Sequence, residues 1–174
     1  MDDLLTLDVV ILRDRLYIDS PNRGICPKNA LLLEETGSGT TIHYMDLTIS
    51  RDTRLGLIID IYDKRSEPGF RRINVIRFPH ISSYISDSAK FNIITNQFVR
   101  FARLCTTRSA FILRITNLLA ALFIKGYPQQ VLLSKVRKLI FRNPDMYAIR
   151  SPLAFFNHIR ELTFRTLREN PPPF

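Results

Sequence analysis

The first sixty or so residues alternate over short stretches. "LDVVIL" (Leu7 to Leu12), "ALLLEE" (Ala30 to Glu35), "TIHYMDLTIS" (Thr41 to Ser50) and "LGLIIDIYD" (Leu55 to Asp63) are apolar or alternating runs, separated by "DSPNRG", "ETGSGT" and "SRDTR". Runs of this length bounded by turn residues predict strands. A continuous strand over Thr41 to Ser50 places Ile42, Tyr44, Asp46 and Thr48 on one side and His43, Met45, Leu47 and Ile49 on the other. The last two strands are expected to form a hairpin turning over Arg51 to Arg54.

From about residue 86 the apolar period changes from two to three or four. Phe91, Ile94, Phe98, Phe101 and Cys105 make one helical stripe. Phe111, Ile115, Leu118, Leu119 and Leu122 make a second, which stops at Gly126. Pro128 suits the entry of a third helix with Leu132, Val136, Leu139 and Ile140 on its inner face, closed by Asn143-Pro144. Ser151 as N-cap and Pro152 at the first helical position announce a fourth, over Phe155, Ile159 and Leu162. The expected fold class is α+β: a small antiparallel sheet followed by a basic three- to four-helix bundle. The expected regions are 1–74 with the strands, 75–145 with three helices, and 146–174 with an additional helix and a proline-rich tail.

Charge sharpens that division. Residues 1–74 carry ten basic and twelve acidic side chains, a net charge of −2, against fifteen and four, or +11, over residues 75–174. Such a balance points the helical half toward a polyanion, either nucleic acid or an anionic membrane surface. The most apolar window, "SAFILRITNLLAALFI", is short and broken by Arg114 and Asn117, so it reads as a buried helix and not as a membrane span. The acidic start is unlike a signal peptide, and Cys26 and Cys105 are too few and too far apart for a disulfide framework or a cysteine-based zinc site. An intracellular protein, nuclear or cytoplasmic, is expected.

Arg100 and Arg103 share a helix face, and Lys135, Lys138 and Arg142 lie along one side of the third helix, away from its apolar stripe. With Lys90 they are the candidate nucleic-acid contacts. His43, His80 and His158 show no metal-binding spacing, and Tyr44, Phe98 and Phe101 are more simply core than base-stacking residues. "ETGSGT" lacks the lysine of a phosphate-binding loop, and Ser82, Ser83 and Ser86 have no histidine placed by the sequence for nucleophilic work.

One short acidic motif adds chemistry. Two adjacent aspartates, as in the opening "MDDLL", can share a hard cation such as Mg²⁺. This stretch resembles the end of the tyrosine-X-aspartate-aspartate box of reverse transcriptases. "YMDLTIS", "YDKR", "RFPH", "NQFVRFARLC" and "KGYP" then follow in an order similar to the C-terminal part of the reverse transcriptases of eukaryotic non-LTR and Penelope-like retroelements. The resemblance covers roughly Met1 to Arg142 and implies a palm remnant followed by a thumb.

On that resemblance Asp2 and Asp3 are the catalytic, metal-holding pair. Tyr44, Met45, Asp46 and Leu47 stand where the family has its primer grip, and the helices from Phe91 to Arg142 hold an RNA/DNA template-primer. Mg²⁺ and deoxynucleoside triphosphates would belong to a complete enzyme, and no membrane is implied. The family's fingers, its earlier metal-binding palm aspartate and the tyrosine of the box precede the paired aspartates. The chain is therefore expected to be a fragment of a retrotransposon RNA-directed DNA polymerase, inactive in nucleotidyl transfer by itself. The alternative is a stand-alone basic nucleic-acid-binding or protein-interaction module without catalysis.

Overall fold

The computed structural model describes residues 39–63 and 77–169. The strands expected at Leu7 to Leu12 and Ala30 to Glu35 lie outside the described residues, as do Asp2, Asp3 and the tail after Glu169. What is described is an α+β arrangement, a three-stranded antiparallel sheet followed by four helices.

The strands are β1 (Thr41–Tyr44), β2 (Leu47–Asp52) and β3 (Gly56–Ile61), in the order β1-β2-β3. The expected continuous strand over Thr41 to Ser50 is therefore a hairpin instead, turning at Met45 and Asp46. Met45 takes φ 52, a left-handed value that suits a two-residue loop between twisted strands. A methionine holds that conformation at some cost, and the neighbouring chain supplies the compensation. The Asp46 carbonyl accepts the Tyr62 N–H at 2.8 Å, and the Asp46 carboxylate is ion-paired with Arg100.

The turn also changes which side chains share a face. A two-residue loop pairs Ile42 with Ile49 and Tyr44 with Leu47, and Ile49 and Leu47 in turn pair with Ile59 and Ile61. Paired residues project from the same side of the pleat. One face of the sheet thus gathers Ile42, Tyr44, Leu47, Ile49, Leu57, Ile59 and Ile61 with Arg51, and the other carries Thr41, His43, Thr48, Ser50, Asp60 and Tyr62 with Ile58. Unbroken, the same residues would have mixed the two classes. The second turn falls over residues 53–55, where the Asp52 carboxylate accepts the Arg54 and Leu55 N–H groups at 2.7 and 2.8 Å. These two bonds hold the Asp52 carboxyl below its ordinary range.

The helices are α1 (Asp87–Leu104), α2 (Arg108–Ile124), α3 (Gln129–Arg142) and α4 (Pro152–Glu169). The Ser86, Thr107 and Ser151 hydroxyls cap α1, α2 and α4 by accepting the N–H of the third residue onward. Contacts run from α1 to α2 and α3, and from α4 to the same two helices, so the four close into a bundle. Phe111 on α2 is fully buried at its centre. Phe98 of α1 meets it edge-on at 5.2 Å between ring centroids, and Phe155 of α4 stacks on it at 6.2 Å. Eight residues of α2 are buried, on more than one side, which is why its sequence is apolar almost throughout. No helix among the described residues is long and apolar enough to cross a membrane.

Sheet and bundle meet along the free edge of β3. The Ile59 carbonyl accepts the Thr106 N–H at 3.0 Å, and the Ile59 N–H donates to the Thr106 hydroxyl at 2.9 Å. Arg114 of α2 donates to both oxygens of Asp60, at 2.9 and 2.7 Å, and to the Ile61 carbonyl. An edge that would otherwise offer unpaired backbone groups is closed by the turn between α1 and α2.

Candidate nucleic-acid interface

Helix α3 carries Lys135, Arg137, Lys138 and Arg142 and no Asp or Glu. Its inward side is defined by Leu132, Val136 and Ile140, all fully buried. At about 100° per residue, Lys135, Lys138 and Arg142 fall on one flank of that stripe, with Arg137 on the other. The flank faces α1, because the Lys135 ammonium sits over the Phe91 ring, 5.7 Å from its centroid. Lys138 and Arg142 are exposed. Neither forms an ion pair with any described residue.

Helix α1 contributes less charge than its sequence suggests. Arg103, in its last turn, is exposed and forms no ion pair with any described residue. Arg100, three residues earlier, is ion-paired with Asp46 at the tip of the β1–β2 hairpin. Lys90 departs further from a surface role. It is 5% exposed, and its ammonium donates to the Ile81 carbonyl at 2.6 Å and to Asp87 at 3.3 Å. A lysine lying in register with Ile94, Phe98 and Phe101 occupies the inward stripe, and its ammonium ends on the loop and first turn that open α1. Among the six candidates Arg103, Lys135, Lys138 and Arg142 form no ion pair with any described residue, whereas Lys90 is buried and Arg100 is held at the surface by Asp46.

The four residues expected at a primer grip form the hairpin tip. Tyr44 ends β1, Leu47 begins β2, and Met45 is 62% exposed between them. The Asp46–Arg100 pair docks this tip on α1. The catalytic pair Asp2 and Asp3, and with it the Mg²⁺ expectation, lies outside the described residues. Among the described residues no group of three or more His, Cys, Asp and Glu could hold a metal ion.

Other side chains that draw attention are structural. The Ser82 hydroxyl lies 2.8 Å from His80 Nδ1. The Ser82 N–H bonds the same nitrogen at 3.2 Å, so the contact is a local turn, and no described carboxylate orients the ring for catalysis. The Cys105 thiol is pushed up to about 12 by burial and by the adjacent Asp60 charge, which leaves it protonated and unreactive. Asp60 itself is pushed up by burial, but the hydrogen bonds from Arg114 and the Ile61 N–H, with the Arg114 charge, outweigh that and hold its carboxyl below the ordinary range. Neither the Asp60–Arg114 junction nor the exposure of Tyr84 has a sequence signal, since each depends on elements distant along the chain.

No protein-family model, no curated protein and no solved structure matches this chain.

Proposed function

We propose that the helical half of this chain holds template-primer nucleic acid by its phosphates, as the thumb of a reverse-transcriptase-like polymerase, with the adjoining flanks of α1 and α3 as the contact surface. The observation that carries this reading is the group Arg103, Lys135, Lys138 and Arg142, four cations on packed helices with no carboxylate paired to any of them among the described residues. Charge that serves only solubility intersperses the two signs. Here the positive residues of α3 extend over about 10 Å of helix axis without an acid among them. The resemblance adds its own support: "YMDLTIS" lies at the hairpin tip, "NQFVRFARLC" lies in α1, and "KGYP" forms the α2–α3 junction. In a complete polymerase Mg²⁺ would fall to Asp2 and Asp3, and phosphate binding by the helices does not depend on that pair.

Affinity for a nucleic-acid duplex, measured over a range of salt concentrations, tests the proposal. Each phosphate neutralised contributes roughly −0.9 to the log–log slope on B-form DNA. Lys135→Ala, Lys138→Ala and Arg142→Ala combined should flatten the slope by roughly two to three units. An unchanged slope would mean that these residues are solvated surface.

A further inference from the structure

The loop ahead of α1 holds an aromatic ring away from the protein. Tyr84 has a relative exposure of 109%, that of a side chain in an extended peptide, and it makes no hydrogen bond or ring contact with any described residue. The loop itself is tied down. The Ile81 N–H donates to the Lys125 carbonyl at 3.0 Å, the buried Lys90 ammonium grips the Ile81 carbonyl, and the Ser83 N–H donates to the His80 carbonyl at 3.0 Å. Ser86 then caps α1. A ring presented by a fixed loop gives up little further freedom when something stacks on it.

The surroundings select the kind of partner. Phe91, with the Lys135 ammonium over it, lies about 6 Å along the axis from the start of α1, so the basic flank begins beside the helix end that carries Tyr84. The acid in the first turn of α1, Asp87, is exposed and ion-paired with Lys90 at 3.3 Å. An exposed ring at the end of an unpaired basic band matches a polyanion whose monomers carry flat aromatic faces, and every nucleobase has such a face.

We propose that Tyr84 is a stacking platform for an unpaired nucleobase, at the end of a strand whose phosphates lie on the α1–α3 flank. This rests on the proposed nucleic-acid contact and adds to it a preference for a duplex bearing a single-stranded extension.

The experiment compares a blunt duplex, the same duplex with a short thymidine extension, and the same duplex with an abasic extension, at one salt concentration. Tyr84→Ala should lose roughly five- to hundredfold in affinity for the thymidine-extended duplex and nothing for the blunt one. Tyr84→Trp should keep the affinity. Because the chain has no tryptophan of its own, the fluorescence of this variant reports the site alone, and the thymidine extension should quench it where the abasic one does not. Equal affinity of Tyr84→Ala and the parent for the extended duplex would overturn the proposal, as would equal losses on blunt and extended probes. Loss of self-association in Tyr84→Ala without nucleic acid, with affinity for the extension unchanged, would assign the ring to a protein contact instead. If the blunt duplex binds with the expected salt slope and Tyr84→Ala has no effect, only the stacking assignment fails. If no duplex binds, both readings fall.

Discussion

Arg114 looks in the sequence like an interruption of an apolar helix, and in the fold it is the bolt between sheet and bundle. Its guanidinium makes two bonds to Asp60 in the planar fork geometry that arginine provides, with both side chains 24% exposed. Removing the carboxylate charge leaves that cation half-buried without its counterion. Asp60→Asn should therefore lower stability at neutral pH by about 2 kcal/mol, measured by urea denaturation. The pH dependence has a definite sign. Because the folded state holds the Asp60 carboxyl below its ordinary value, its contribution is complete above the unfolded-state value of about 3.9 and is lost as pH falls through the lower folded value. The gap between Asp60→Asn and the parent should narrow on titration from pH 5 toward about pH 2. A gap independent of pH would show that shape and not charge holds the junction.

At the level of elements, the junctions carry the most information. Gly126 closes α2 with φ +82, and a Cβ there would come within 2.9 Å of the Ile81 methyl group. Two costs combine in Gly126→Ala, a left-handed backbone for an L-residue and a collision with the loop that carries Tyr84. A loss of about 1–3 kcal/mol is expected, seen as a lower thermal midpoint. At Gly39 nothing lies within 4 Å of the added Cβ, so Gly39→Ala should meet only the backbone cost of its φ of +119 and should shift the midpoint less. Equal shifts at the two positions would mean that the loop gives way to the new methyl group. The β1–β2 turn shows the same logic from another side: Met45 in a left-handed conformation is a poor local choice, made tenable by Tyr62 and Arg100 from other elements.

For the whole molecule, the decisive feature is that α4 belongs to the core. Phe155 and Ile159 are buried against α2 and α3, and Phe155 stacks on the central Phe111. The connection between α3 and α4 is held as well, since the Tyr147 hydroxyl donates to the Cys105 carbonyl at 2.6 Å from a left-handed backbone position. A chain ending at Arg150 should expose Phe111 and lose its cooperative thermal transition, followed by circular dichroism, instead of behaving as a trimmed but intact fold. Retention of a sharp transition within a few degrees of the parent would show that three helices suffice.

The order of elements, the switch from strand to helix near residue 86, the capping serines and threonine and most of the core stripe are determined by the chain's own pattern. Each of these depends on residues within a turn or two of one another, where periodicity and capping chemistry act directly. The excess of basic residues in the helical half is likewise plain in the sequence. Tertiary structure alone decided that Thr41 to Ser50 turns back on itself, since the docking of Asp46 on Arg100 joins residues 54 positions apart. It also decided which cations remain available. Lys90 is buried and Arg100 is paired with Asp46, Lys135 lies half-buried over Phe91, and Arg103, Lys138 and Arg142 are exposed, because a helix of fixed pitch must turn one side to its neighbours and the neighbours determine which charges that side can satisfy.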